Sequence, residues 1–189
     1  MRKLLTVATA ALMLAALAPQ AAKAAATQNI TITISITATV SVALDSNTWN
    51  LAGSAFSTDY ISSAYTITND GSVNQALKVK GNDSAGPNVW TLAGAIGANQ
   101  YKLQALIGQD AAAAPVTGKF SLDGTDALNN ATYVVATATD IGDTTWSATC
   151  GDDVAPAGAC DMYLKLSTPT GGYTSTMGSI VVTVSANAL

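Results

Sequence analysis

The stretch from Ile30 to Leu44 reads ITITISITATVSVAL and decides the fold class. Apolar residues, most of them β-branched, occupy every second position, and threonine, serine or alanine lies between them. Strict alternation is typical of a β-strand with one apolar and one polar face, because successive side chains of a strand point to opposite sides of the sheet. The apolar row consists of Ile30, Ile32, Ile34, Ile36, Ala38, Val40, Val42 and Leu44.

This run is longer than an ordinary strand. Its 15 residues would extend roughly 50 Å at about 3.3 Å each, whereas strands usually have about 5–6 residues. Two interpretations follow. Either the segment bends near Ala38 and serves both sheets of its own domain, or its first part overhangs the domain and completes the sheet of a neighbouring copy. In the second case the assembly strand comprises Ile30, Ile32, Ile34, Ile36, Val40, Val42 and Leu44.

The segment before this run has the layout of a secretory signal peptide. Arg2 and Lys3 precede an apolar stretch from Leu4 to Ala18, and Pro19 and the triplet Ala22-Lys23-Ala24 follow it. The apolar stretch is shorter than the roughly 20 residues that a membrane-spanning helix needs. We therefore predict a signal peptide over residues 1–24, cleavage after Ala24, and a secreted, cell-surface or periplasmic protein with no membrane span in the mature chain.

The composition of residues 25–189 restricts the partners. This part contains five lysines, twelve aspartates, no glutamate and no histidine, a formal charge of 5 − 12 = −7. Nucleic acids and anionic membranes bind clustered lysine and arginine, so neither is an expected partner. A chain of this length is sufficient for one domain with its own core, and we predict a single domain over residues 25–189.

Short strand candidates separated by turn residues follow the alternating run. They predict an all-β fold, a two-sheet antiparallel β-sandwich of the immunoglobulin-like or jelly-roll kind. Ala64–Thr68 and Val73–Lys80 flank Asn69-Asp70-Gly71, which favours a hairpin, and Lys78 and Lys80 would protect a strand at the sheet edge. Only Ala111–Ala114 favours a helical turn. The other candidates are Val89–Leu92, Tyr101–Ile107, Lys119–Leu122, Thr132–Ala138, Met162–Ser167 and Ser179–Ser185.

Cys150 and Cys160 predict a disulfide, because an even, close pair in an exported protein is normally oxidised. A redox or metal role would need a CxxC spacing or histidine ligands, which the sequence lacks. Closing this loop would stabilise the fold by roughly 2–3 kcal/mol.

The tryptophans allow two interpretations. Trp49-Asn50-Leu51-Ala52-Gly53 and Trp90-Thr91-Leu92-Ala93-Gly94 echo each other. The pair could stack on carbohydrate, but large aromatics in small β domains more often pack in the core. We therefore place Trp49 and Trp90 in or near the core, with Ile180, Val182 and Val184, and Trp146 at its rim.

The sequence lacks residues that several classes of enzyme require. Without histidine no Ser-His-Asp or Cys-His relay can form, and no phosphate-binding loop or SxxK motif occurs. The aspartates at 123, 126, 140, 143, 152, 153 and 161 fit no EF-hand, and turn formation explains them better than Ca²⁺ binding does. We expect no enzyme, no cofactor and no metal.

The alternating strand after the leader and the terminal run Ile180-Val181-Val182-Thr183-Val184 resemble secreted bacterial fibre subunits. The similar families are spore coat protein U and the chaperone–usher pilins and, more distantly, the TasA type of biofilm fibre. The likeness covers Ile30–Leu44 and Tyr173–Ala186, and the late disulfide departs from the pilin pattern. It implies a self-assembling structural subunit whose partners are copies of itself. The alternative is a soluble extracellular binding module for glycan or protein.

Overall fold

Within the described residues, the alternation of apolar and polar residues is realised as nine strands. The computed structural model describes residues 37–51, 54–86, 88–120, 126–172 and 179–189. Thr37–Leu189 is one compact unit, and the other unit, Met1–Ile36, lies outside the described residues. The strands are β1 (Val42–Leu44), β2 (Asp59–Ile61), β3 (Tyr65–Asn69), β4 (Gln75–Gly81), β5 (Thr91–Leu92), β6 (Gln100–Gln109), β7 (Val134–Val135), β8 (Ala159–Ser167) and β9 (Val182–Ala188).

The strands form two sheets, and the described residues contain no α-helix, only the 3-10 turn Thr117–Lys119. The larger sheet has the order β1-β3-β8-β6-β5, with β2 also paired to β8. The smaller sheet has the order β7-β4-β9. The prediction of an all-β, two-sheet protein is therefore confirmed. The strand pairs are antiparallel except β5 and β6, which are parallel. The prediction of an antiparallel arrangement was therefore wrong for this pair.

β2 and β3 lie end to end along one side of β8. Ile61 pairs with Lys165 and Tyr65 pairs with Met162, so the residues between them interrupt the ladder. In this gap the Ser62 amide donates to the Leu164 carbonyl oxygen (2.9 Å), and the Leu164 amide donates to the Ser62 hydroxyl oxygen (3.0 Å). The hydroxyl replaces the missing backbone acceptor, so the buried amide of the central strand stays hydrogen-bonded.

Side chains of both sheets meet in one hydrophobic cluster. The larger sheet contributes alternate residues of β3, β6 and β8, and the smaller sheet contributes Leu77 and Val79, both 0% exposed. Trp90 is buried in this cluster, and Trp49, Ile180, Val182 and Val184 pack against it, as the sequence predicted.

The opposite face of the larger sheet is covered by loops. Leu106, Phe120 and Tyr163 form a second buried cluster there. The indole of Trp146 packs edge-on against Tyr163, at 5.6 Å between ring centroids. Its N–H donates to the Ala113 carbonyl oxygen, while the Tyr163 hydroxyl donates to the Ala112 carbonyl oxygen. Trp146 thus lies half-buried on this second cluster.

The disulfide loop contacts both sheets. Cys150 and Cys160 are bonded, with their Cα atoms 5.8 Å apart, as the sequence predicted. Cys160 belongs to β8 of the larger sheet, and the loop also bonds to β4 of the smaller sheet. The amides of Leu77 and Gln75 donate to the carbonyl oxygens of Gly151 (2.6 Å) and Val154 (3.0 Å). This loop therefore ties the two sheets together.

Several local predictions were wrong. Ala64–Thr68 and Val73–Lys80 correspond to β3 and β4, which join different sheets instead of forming a hairpin. Lys78 and Lys80 consequently lie on the central strand of the smaller sheet, not at an edge.

Two further segments differ from the predictions. The 3-10 turn includes Lys119, where a strand was expected, and Phe120 is not in a strand; Ser121 and Leu122 lie outside the described residues. Ala111 has a φ of 59°, which is incompatible with a right-handed helical turn, so Ala111–Ala114 forms a turn and a loop instead.

Candidate functional site: an apolar groove between the sheets

A cavity of about 670 Å³ lies between the sheets. It is bordered on one side by apolar residues of the larger sheet and on the other by residues leading into and along β9. Its polar rim comes from the segment after β1. The lining residues are Leu44, Ser46, Asn47, Thr48, Trp49, Asn50, Leu51, Ser54, Tyr65, Trp90, Leu103, Met162, Leu164, Leu166, Ser179, Ile180, Val182 and Val184. We call this cavity the groove.

The groove exists because β9 covers the core incompletely. Leu77 and Val79 of the neighbouring strand β4 are completely buried, whereas Val182 and Val184 of β9 are only half-buried. No described strand pairs with the outer edge of β9. Apolar side chains and unpaired backbone groups at such an edge favour the addition of another strand.

β1 ends the larger sheet on the same side of the molecule. It pairs with β3 through Val42, Ala43 and Leu44, and no described strand pairs with its other edge. β1 and β9 contact each other, so the unpaired edges of the two sheets are neighbours. The groove thus lies beside two sheet edges, which provide backbone donors and acceptors next to an apolar cavity.

The electrostatics of the groove favour an uncharged occupant. Among its described lining residues the ionisable group is the phenol of Tyr65, whose hydroxyl donates to the Thr48 carbonyl oxygen at 3.1 Å. Burial, and secondarily the negative charge of Asp45, raises the pKa of Tyr65 above its ordinary value of 10.0, so the phenol is neutral at physiological pH.

One polar group in the lining lacks a partner. Trp90 is 7% exposed, and its backbone amide donates to the Ser84 hydroxyl oxygen at 2.7 Å. Its indole N–H is buried and makes no hydrogen bond with the described residues. An unsatisfied buried donor costs about 1–3 kcal/mol, so a ligand carbonyl that reached it would be favoured.

The predicted assembly strand is only partly described. Ile30, Ile32, Ile34 and Ile36 lie outside the described residues. Of the rest, Val42 packs against the core, Leu44 lines the groove, and Val40 is 43% exposed. Only Val42–Leu44 of the described part is a strand, so a single continuous strand up to Leu44 was wrong for residues 37–41.

Sequence reasoning missed the groove itself. The inward row of β8, with Met162, Leu164 and Leu166, was predictable from its alternation with polar residues. No sequence signal indicates that β9 leaves this row uncovered, because that depends on where the smaller sheet ends.

Comparison with known proteins assigns this chain to no family. No protein-family model matches the sequence, and no curated protein matches it significantly. Within the described ranges, no group of three or more Cys, Asp, Glu or His side chains is placed to hold a metal ion. The same ranges contain no helix with the length and hydrophobicity needed to cross a bilayer.

Proposed function

We propose that this chain is an exported structural subunit that self-assembles, and that the groove receives residues Ile30–Ile36 of a second copy. In this proposal residues 1–24 are a cleaved signal peptide and the two sheets pack as a β-sandwich. The observation that carries it is the combination of an apolar groove with an edge of β9 to which no described strand pairs. The same chain carries an alternating segment of which Val42–Leu44 form a strand in its own larger sheet, while the described residues 37–41 do not.

The occupant fits the groove chemically. Four isoleucines at every second position present an uncharged apolar row, and the lining at the centre of the groove is apolar and uncharged. Each buried isoleucine would contribute on the order of 1.5–3 kcal/mol before the cost of ordering the strand is subtracted. The strand's backbone would pair with the free edge of β9, as in other cases of β-strand addition.

The path of the chain supports an occupant from another copy. The Ser72 amide donates to the Thr39 carbonyl oxygen, and the Thr39 amide donates to the Ser72 hydroxyl oxygen. Thr39 therefore lies beside the loop after β3, at the end of β1 opposite to Leu44 and the groove. To enter its own groove, the preceding segment would have to reverse direction at once.

The sequence has no strong turn signal at this point. Residues 30–44 contain no glycine, proline, asparagine or aspartate, and of the common turn residues only serine occurs there, at 35 and 41. Such a segment favours continued extension away from the domain, where it would meet another copy. Contacts of this head-to-tail kind do not close on themselves, so the expected product is a filament.

The alternative functions are less well supported. A glycan-binding module built on tryptophans would need them exposed, but Trp90 is buried and Trp49 and Trp146 are half-buried. An enzyme would need convergent titratable groups in its cleft, and among the described lining residues Tyr65 alone is ionisable.

Matched double variants of the secreted, processed protein test the proposal. Ile32→Asp/Ile34→Asp places two charges in the apolar row, and Thr33→Asp/Ser35→Asp places the same charges in the hydroxyl row, one residue further along the chain. We expect electron microscopy and sedimentation to show filaments for the wild type and the hydroxyl-row variant. The apolar-row variant should remain a folded monomer.

Two results would contradict the proposal. A wild-type protein that stays monomeric at all concentrations would exclude self-assembly. An apolar-row variant that loses its fold, measured by near-ultraviolet circular dichroism, would show that Ile32 and Ile34 belong to the core of their own domain.

A further inference from the structure

The outer face of the smaller sheet carries two lysines beside one aromatic ring. Leu77 and Val79 of β4 point into the core, so the alternating residues Lys78 and Lys80 lie on the other face. The Lys78 and Lys80 ammonium nitrogens lie 5.1 and 5.2 Å from the ring centroid of Tyr133. Tyr133 immediately precedes β7, whose Val134 and Val135 pair with β4.

A residue of β9 completes this arrangement. The Lys78 ammonium donates to the Asn187 side-chain oxygen at 2.6 Å. β4, β9 and the residue that precedes β7 thus bring polar or aromatic side chains to the same place. Because these side chains belong to or adjoin paired strands, their backbones are held in position before any ligand binds. We call Lys78, Lys80, Tyr133 and Asn187 the basic platform.

The charge of the basic platform is not neutralised locally. The two ion pairs among the described residues involve Lys119 and Lys165, and no described carboxylate lies within 4.0 Å of Lys78 or Lys80. The whole chain has 12 acidic and 8 basic residues. The two adjacent ammonium groups are therefore a local positive charge on an acidic protein, and they favour an anionic partner at this face.

From this arrangement we infer that the basic platform binds a carboxylated polysaccharide. Tyr133 is 37% exposed, and an aromatic ring of this kind can stack on the apolar C–H face of a pyranose. The flanking ammonium groups would bind sugar carboxylates by charge-assisted hydrogen bonds. The Asn187 amide would bind a sugar hydroxyl. This inference goes beyond self-assembly and does not depend on it.

Other polyanions fit the platform less well. Nucleic acid binding rests on many lysine and arginine contacts to phosphates, whereas the basic platform has two cations. A saccharide combines carboxylates with neutral, flat faces, which matches an aromatic ring that has two ammonium groups close to it.

The test measures binding of oligogalacturonate to the secreted, processed protein by calorimetry. Lys78→Gln/Lys80→Gln should lower the association constant about tenfold, because two surface charge contacts are worth about 0.7 kcal/mol each. Tyr133→Leu, which keeps an apolar side chain, should lower it about threefold by removing the stacking surface. Lys102→Gln on β6 is the matched control for charge and should bind as the wild type does.

Dextran and dextran sulfate distinguish the sources of binding. Dextran should not bind, and dextran sulfate should bind more weakly than oligogalacturonate and without dependence on Tyr133. The inference is overturned if oligogalacturonate does not bind, or if its binding is unchanged in the lysine variant. Equal dependence of all polyanions on charge alone would also overturn it. A change in oligomeric state of the lysine variant without saccharide would instead assign this face to a second copy.

Discussion

Gln75 and Val154 exchange two backbone hydrogen bonds between the smaller sheet and the disulfide loop. The Gln75 amide donates to the Val154 carbonyl oxygen at 3.0 Å, and the Val154 amide donates to the Gln75 carbonyl oxygen at 2.8 Å. Gln75 begins β4 of the smaller sheet, and Val154 lies inside the loop that Cys150 and Cys160 close. The disulfide therefore stabilises a loop on which the connection between the sheets depends.

Removal of the disulfide should destabilise the whole domain. For Cys150→Ala/Cys160→Ala we expect a loss of roughly 2–3 kcal/mol in the free energy of unfolding, because the unfolded chain gains the entropy of an open loop. Urea denaturation of the variant and the wild type measures this difference. A variant as stable as the wild type would show that the backbone bonds of Gln75 and Val154 hold the loop without the disulfide.

Asn69 should be among the most sensitive polar residues of the fold. It is 0% exposed, its amide group donates to the carbonyl oxygens of Val73 and Val154, and its side-chain oxygen accepts from the Gly71 amide. Asn69→Ala should cost about 2–3 kcal/mol, because buried backbone groups lose their partners. The exposed Asn130→Ala should change stability by less than about 0.5 kcal/mol. Equal effects in thermal unfolding would contradict this prediction.

Asp143 should make stability depend on pH in the acidic range. The Thr145 hydroxyl donates to the Asp143 carboxylate at 2.6 Å, and Lys119 lies 3.9 Å from it. The Thr145 hydrogen bond is the main cause that holds the pKa of Asp143 below its ordinary value of 3.8. Because the folded-state pKa is lowered, the ionised group stabilises the fold at neutral pH. This contribution is lost as the pH falls below about 4.

Asp143→Asn tests this dependence. The variant should be less stable than the wild type at pH 7, by about 0.5–1 kcal/mol, and the difference should shrink as the pH is lowered toward 2. Asp110→Asn, at an exposed position, is the control for the loss of one carboxylate. A constant difference across this range, measured by urea denaturation, would contradict the prediction.

The groove should tolerate a larger side chain where the packed core does not. Leu164 lines the groove, whereas Leu106 is completely buried on the other face of the same sheet, against Phe120 and Tyr163. Leu106→Phe should cost about 1–3 kcal/mol through overpacking, and Leu164→Phe should cost less than about 1 kcal/mol because space is present. Equal costs in urea denaturation would show that the groove is closed in solution. In the assembly assay Leu164→Phe should weaken filament formation by occupying part of the groove.

Strand positions were predictable where one face is buried along a whole strand. Tyr101–Ile107 and Met162–Ser167 lie within β6 and β8, because apolar residues alternate with lysine, glutamine or serine over much of both segments. Two predicted strands, Val89–Leu92 and Thr132–Ala138, are shorter in the structure. Only two residues of each pair with a neighbouring strand. β2 was missed because its three residues carry no such period.

The turn after β3 was predicted correctly from its residues, but the pairing of the strands on either side of it was not. Asn69-Asp70-Gly71 does form a tight turn, with the Gly71 amide bonded to the Asn69 side-chain oxygen. The same Asn69 side chain also donates to the Val154 carbonyl oxygen, which draws the turn toward the disulfide loop. The chain therefore crosses from one sheet to the other at this turn and does not fold back as a hairpin.

The sequence by itself determined the all-β class, the inward rows of the long strands and the disulfide between Cys150 and Cys160. These follow from side-chain period and from two cysteines, which are local properties. Only the tertiary structure decided that β3 and β4 join different sheets, that Lys78 and Lys80 meet Tyr133, and that β9 ends its sheet beside an uncovered groove. The physical reason is that strand pairing is made by backbone hydrogen bonds between distant segments, which local sequence specifies weakly.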